Sequence, residues 1–273
     1  MNTKPSVKIN MIMNGLLVVS STIFPLITFP YTSRVLGPAG IGKVSLATSY
    51  VSYFVGLSQL GIPIYAIRAC AKVREDKEEL TRVTQELIII NFILGIISYL
   101  GFFTTIVFVG KVQNEKILYS IISTTIVFNM IGIEWLYKGL EQYTYITARS
   151  IIFKLIALVS LLCLVKSESD YIIYGAISIF ANSASSVLNF IHSRKILLPK
   201  LMGNYNFKTH IKPITLIYIM SVATSIYENL DTVMLGFLCN EEVVGFYNTA
   251  IKIKNILIAL ITSEGDVLLP RSA

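Results

Sequence analysis

The chain has 273 residues, of which 54 % are apolar and only 14 % charged, with a mean hydropathy of +0.68. Soluble domains carry about 25 % charged residues, so this balance excludes an ordinary water-soluble fold and indicates a membrane protein. The net charge of +7 would suit nucleic acid only if it were gathered on a water-facing domain. It is not, and no nucleic-acid partner is expected.

Eight apolar runs follow in order, at about 10–33, 41–66, 86–110, 117–137, 144–165, 171–192, 212–238 and 243–263. Each supplies roughly the twenty residues that a helix needs to cross a bilayer. The expected fold is therefore all-α, a polytopic bundle of about eight transmembrane helices. The first run follows Lys4 and Lys8, is longer than a signal-peptide core and has no small-residue cleavage pattern after it, so it reads as a retained anchor. Pro25 and Pro30 within it each remove a backbone donor and favour a kink. Such a helix is either a moving part or a static accommodation to packing, and the sequence leaves both open.

Pro63 is expected to break the second run near its end, and Pro213 to occupy the first turn of the seventh. The run Arg74-Glu75-Asp76-Lys77-Glu78-Glu79 reads as a solvated helical hairpin with internal ion pairs. In the sixth run, Ala181 to Ser186 forms a small-residue face suited to close helix packing. Tyrosines such as Tyr31, Tyr50, Tyr137 and Tyr171 near run ends read as interface anchors.

Of 23 Lys and Arg residues, fifteen fall at one end of the bundle, five at the other and three (Lys154, Lys252, Lys254) inside runs. The positive-inside rule then places the N-terminus and the long basic connections, about 67–85 and 193–211, in the cytoplasm. The expected organisation is a six-helix lobe over 1–192, a cytoplasmic linker over 193–211, and over 212–273 the first two helices of an incomplete second lobe.

Ionisable residues inside the runs are the sharpest local signal, since a charge at mid-bilayer costs about 2.5–3.5 kcal/mol on insertion scales. Glu228 and Asp231 share a face of the seventh run, and Glu228 is far enough from either end to suggest a cavity. Lys252 and Lys254 lie in the eighth run and Lys154 in the fifth. Glu134 and Arg149, near run ends, read as interfacial groups or a helix-holding ion pair. Cys70, Cys163 and Cys239 are widely spaced and show no metal or disulfide pattern. The sequence offers no nucleotide-binding glycine loop, no HExxH and no Ser/His/Asp arrangement, and the outer loops are short. No enzyme activity, cofactor or metal is expected.

An internal repeat completes the pattern. Phe29 to Gly42 includes Leu36-Gly37 and then Ile41-Gly42; Asn229 to Gly236 ends in Leu235-Gly236 and is followed by Val244-Gly245. Each copy reads as a long apolar helix ending in a Leu-Gly turn, with an aliphatic-Gly pair opening the next helix. Six runs separate the copies, so the repeat is parallel, as in transporters built from two related lobes.

The residues Pro30 to Gly42, Gly61 to Arg68, Tyr227 to Gly236 and Leu268-Leu269-Pro270-Arg271 resemble the polysaccharide flippases. These are the O-antigen (Wzx-type) branch of the multidrug/oligosaccharidyl-lipid/polysaccharide exporter superfamily. The resemblance implies a bacterial inner-membrane transporter that flips undecaprenyl-pyrophosphate-linked oligosaccharide to the outer leaflet by rocking two lobes around a cationic cavity. It makes Lys154, Lys252, Lys254, Arg34 and Arg68 candidates for substrate binding, and Glu228 and Asp231 candidates for ion coupling. Membrane lipids, the lipid-linked oligosaccharide and polysaccharide assembly machinery are the implied partners. Members usually carry twelve or more helices, so this chain is expected to be a truncated product or fragment, with a partner that supplies the rest as the alternative, and whether it transports by itself is left open. A drug/cation antiporter of the same superfamily is the nearest alternative, and cations in the runs weigh against it. A membrane glycosyltransferase or polymerase would need a large outer loop; a non-transporting subunit is the remaining alternative.

Overall fold

A computed structural model describes the backbone of residues 7–268 and the side chains of residues 8–255. It is all-α, with no strand among the described residues, and forms a polytopic membrane bundle. Among the described residues, four helical stretches are long and apolar enough to cross a membrane: Lys8–Lys72 (which covers the first two predicted runs), Lys77–Phe108, Tyr143–Leu164 and Glu168–Ser193. Lys116–Met130 is shorter but apolar. The family-like run from Leu268 to Arg271 lies outside the described side chains.

Helix α1, Val7–Gln59, runs through the first two predicted spans and is the centre of the bundle. Its angles stay helical through Pro25 and Pro30. The only non-helical residue is Gly37, at φ 63° and ψ 179°. The break expected at the prolines thus falls just beyond them, where a residue without Cβ can take positive φ. The second predicted span also ends early. Leu60 and Gly61 have φ of 41° and 77°, and α2, Ile62–Lys72, starts anew with Pro63 in its first turn, where a missing N–H costs nothing.

Helix α3, Lys77–Phe108, is capped by Asp76, whose side chain accepts from the N–H groups of Glu78 (2.9 Å) and Glu79 (3.1 Å). The charged turn before it is only partly self-paired. Arg74 also reaches Glu141 at 2.8 Å and Glu78 reaches Lys200 at 3.0 Å, tying three connections together at the basic end. After the short α4, Gly110–Asn114, the fourth predicted span divides into α5, Lys116–Met130, and α6, Glu134–Gly139. Helix α7 is Tyr143–Leu164. The sixth span divides at Ala184 into α8, Tyr171–Ser183, and α9, Ser185–Ser193.

Helix α10, Phe207–Leu238, begins before the predicted start, so Pro213 lies inside it rather than in its first turn. It also ends after the second Leu-Gly pair. Gly236 is helical and packs against Leu46 of α1, while the chain turns extended at Cys239. Helix α11, Glu241–Leu268, returns along α1.

Three apolar clusters hold the bundle. One, at the basic end, joins Ala66, Leu87, Leu136 and Ile146; a second packs Ala47 and Val51 on Phe102, Leu118 and Ile126; a third packs Leu36 and Ile41 on Ala157 and Leu161. The opposite end is tied by polar contacts. Lys43 pairs with Glu115 at 2.5 Å, Tyr171 donates to the same carboxylate at 2.8 Å, and the Lys111 ammonium caps the end of α10 at the Gly236 and Cys239 carbonyls.

Candidate functional site

The two divided spans face each other. Where α5 stops at Met130, the helical ladder ends: the Asn129 carbonyl keeps only a tight bond from Gly132 N–H at 3.2 Å, and that of Met130 loses its helical partner. The Asn91 amide of α3 donates to both, at 2.7 and 3.1 Å. Opposite, at Ala184, the ladder tightens to a bond from Val187 N–H to the Ala184 carbonyl at 3.3 Å. Within a bilayer, interrupted helices persist where protein or a hydrated cavity satisfies the freed groups. Here both interruptions border a cavity of about 240 Å³ lined by Asn129, Gly132, Asn182, Ser185 and Ser186.

That cavity continues into a second of about 420 Å³, since Glu134, Lys138, Asn182 and Ser185 line both. Lys154 of α7 lines the second. The residue is 8 % exposed, and its ammonium donates to Ser21 Oγ at 2.7 Å and Ser20 Oγ at 3.1 Å across the bundle on α1. The two serines give hydrogen bonds but no counter-charge, so the positive charge remains available to an anion. Glu134 is already shared, bonding Lys138 at 2.9 Å through Oε1 and Arg149 at 3.1 Å through Oε2. Arg149 is buried and holds α7 to α6, the helix-holding pair that the sequence suggested. Lys154 and Lys138 thus stand on a polar wall whose one carboxylate is engaged.

On its other side the 240 Å³ cavity meets a third, of about 450 Å³, with Gln59 and Pro63 lining both. This one is apolar and lies between the end of α1 with the start of α2 and the middle of α10, with Leu57, Ile64, Val222 and Ile226 in its walls. Three contiguous spaces therefore grade from apolar, between α1 and α10, to polar and cationic, inside the first six spans.

The other expected site residues fall elsewhere. Lys252 is half-buried, with its ammonium 4.7 Å from the centre of the Phe29 ring. Lys254, two residues on, is exposed on a different face of α11. Arg34 and Arg68 are exposed, on α1 and α2. Glu228 and Asp231 are exposed on α10. Glu228 continues the face that presents Ser221 and Ser225 to the apolar cleft, and Asp231 accepts from the Tyr247 hydroxyl at 2.5 Å. The structure brings none of these six to Lys154. Ser20, Ser21, Asn182 and Ser185 went unmarked as site residues because each is an ordinary small polar residue in an apolar run. The one sequence signal was the cluster at Ala181 to Ser186, which reads equally well as a packing face. Among the described residues no group of His, Cys, Asp and Glu could hold a metal.

The sequence profile of the family described as polysaccharide biosynthesis protein matches residues 7–273. The chain belongs to that family. Two curated relatives are both named "Putative O-antigen transporter". That of Escherichia coli (strain K12) is 26 % identical over 277 residues, covering 99 % of this chain and 66 % of its own length. That of Shigella dysenteriae is 24 % identical over 282 residues, covering 97 % of this chain and 67 % of its own. The chain thus spans about two thirds of the length of the curated relatives it matches. No solved structure matches it. The expected membrane character and family resemblance are both met.

Proposed function

We propose that this member of the polysaccharide biosynthesis family is a transporter rather than an enzyme. Its proposed substrate is an undecaprenyl-pyrophosphate-linked oligosaccharide, an O-antigen or related unit. The protein moves it from the cytoplasmic to the outer leaflet of the bacterial inner membrane by alternating access, with the N-terminus and basic end in the cytoplasm. The observation that carries this reading is the graded run of cavities. A lipid-linked saccharide is itself graded, with an isoprenoid tail, a dianionic pyrophosphate and a hydroxyl-rich sugar. The apolar cleft beside α10 suits the tail, and the polar space around Asn182 and Ser185 suits the sugar. A pyrophosphate in a low-dielectric region needs fixed positive charge, which Lys154 and Lys138 supply.

In this reading Lys154 is the central substrate contact and Lys252, on α11, a second one. Lys254, Arg34 and Arg68 serve as outlying electrostatic contacts. Glu228 and Asp231, towards the far end of the cleft, carry the coupling ion. Residues 1–192 form one lobe and 212–273 belong to the other. Membrane lipids and the polysaccharide assembly machinery are the remaining partners.

The test has two arms. In nanodiscs, the chain is expected to bind a fluorescent undecaprenyl-pyrophosphate saccharide, and Lys154→Met to weaken binding about tenfold. In a flippase-deficient strain, the complete reading frame carrying this chain is expected to restore surface O-antigen. Normal membrane expression without restoration overturns the transport reading.

A further inference from the structure

One face of α3 is bound by the connection that leads into α10. Glu78, Thr81, Gln85 and Glu86 project along that face, and each reaches it. Thr81 Oγ1 accepts from Leu198 N–H at 3.1 Å. Gln85 Oε1 accepts from Met202 N–H at 3.0 Å and from the Tyr205 hydroxyl at 2.9 Å, while its Nε2 donates to the Lys200 carbonyl at 2.8 Å. Glu86 Oε1 accepts from Asn206 N–H at 2.5 Å. The strap therefore ends on a buried pair, Glu86 Oε2 and His210 Nε2 at 2.6 Å, with the residues 3 % and 5 % exposed. The other ring nitrogen, Nδ1, is 2.8 Å from the Tyr65 hydroxyl of α2.

We propose that Glu86, His210 and Tyr65 form a proton-binding site that latches the 198–206 strap and the foot of α10 to α3. The geometry admits a proton without moving a heavy atom. In the unloaded site the Tyr65 O–H donates to Nδ1 and the Nε2–H donates to Glu86. On loading, an N–H bond forms at Nδ1 and donates to the tyrosine oxygen, the Tyr65 hydrogen turns away, and the bond to Glu86 stays. The net charge of the site goes from −1 to zero. A lone buried carboxylate is costly and a neutralised pair much less so, so the loaded site holds the strap and the unloaded one loosens it.

Among the described residues no other charge takes over this role. Arg82, on α3, is turned to Glu79 at 2.8 Å; buried Cys70 stands behind Tyr65 on α2; Lys208 and Lys212, on α10 itself, are exposed. The site contains none of the cavity-lining residues, and the inference does not depend on what the protein carries.

The experiment uses the whole chain in detergent or nanodiscs. After correction for intrinsic exchange, backbone amides over 198–210 are expected to exchange about tenfold more slowly at about pH 6 than at about pH 8.5, and Glu86→Gln to abolish the difference. The chain has only two histidines, so His192→Gln leaves His210 as the sole imidazole signal in a nitrogen-labelled sample. That signal is expected to change over the pH range in which the strap loosens, and Tyr65→Phe to displace that range while keeping the strap protected in its loaded form. Exchange independent of pH, or a ring signal that does not change with the strap, overturns the proposal. The ring measurement stands even if Glu86→Gln fails to fold.

Discussion

Gly42 and Gly245 make the same contact from opposite sides of one helix crossing. Gly42 of α1 lies against the main-chain carbonyl of Glu241, and Gly245 of α11 lies against that of Pro38. Pro38 precedes Gly42 by four residues, as Glu241 precedes Gly245, so the two copies of the sequence repeat meet as equivalents. A Cβ on either glycine would overlap main-chain atoms, which cannot rotate aside as a side chain can. This crossing closes the end of the bundle opposite the basic connections.

Valine at either position is expected to separate the helices. Gly42→Val and Gly245→Val should each destabilise the protein by about 3 kcal/mol or more, at the upper end of overpacking costs. Gly15→Val, also on α1 but with nothing within 4 Å of its added Cβ, is the matched control. Thermal unfolding in detergent should show a large fall for the first two and little change for the third. Because both act on one contact, the double variant should lose less than the sum.

The serine seat of Lys154 is expected to matter differently from the lysine itself. Ser20→Ala with Ser21→Ala leaves a buried ammonium without its two acceptors and should cost about 1–3 kcal/mol. Lys154→Met removes the charge together with the need for a partner, so stability should hold or rise. Chemical unfolding of the three proteins checks the order; equal losses would mean that the serines do not seat the ammonium.

The Glu134–Arg149 pair should be asymmetric. Glu134 is 39 % exposed at its side chain and Arg149 only 5 %, so water can compensate the first and not the second. Glu134→Gln strands the buried guanidinium and should destabilise more than Arg149→Met, which leaves a carboxylate near water and still bonded to Lys138. Paired melting curves decide the order.

Cysteine labelling tests the orientation. Cys70 is buried beside Thr84, while Cys239 is exposed where α10 ends, opposite the basic connections. A membrane-impermeant maleimide applied to spheroplasts is expected to label Cys239 and to leave Cys70 unreacted. Protection of Cys239 in intact spheroplasts, with labelling only after lysis, would reverse the proposed topology.

Asp76 offers a local control. Its side chain caps α3 through two N–H groups, so Asp76→Ala should cost about 1 kcal/mol without altering binding in the cavities. A small fall in melting temperature with unchanged ligand affinity is the expected outcome.

The amino-acid sequence by itself determined the membrane character, the helical class and the family. All of these rest on composition, on run length and on short local motifs, which need no knowledge of neighbours. It also marked Lys154 as a charge in an apolar run that calls for explanation. What it could not supply was every place where a helix stops inside a run: Pro63 marked the break after Leu60-Gly61, but Ile131 to Ile133 and Ala184 carry no proline, and the interruption after Met130 is completed by Asn91, from α3. Nor could it join Ser20 and Ser21 to Lys154, or Glu86 to His210, residues separated by more than a hundred positions. An apolar helix shows lipid and protein much the same surface, so its periodicity does not reveal which face meets which neighbour. Only the tertiary structure, through close approach at glycines and the need of each buried polar group for a partner, decided that.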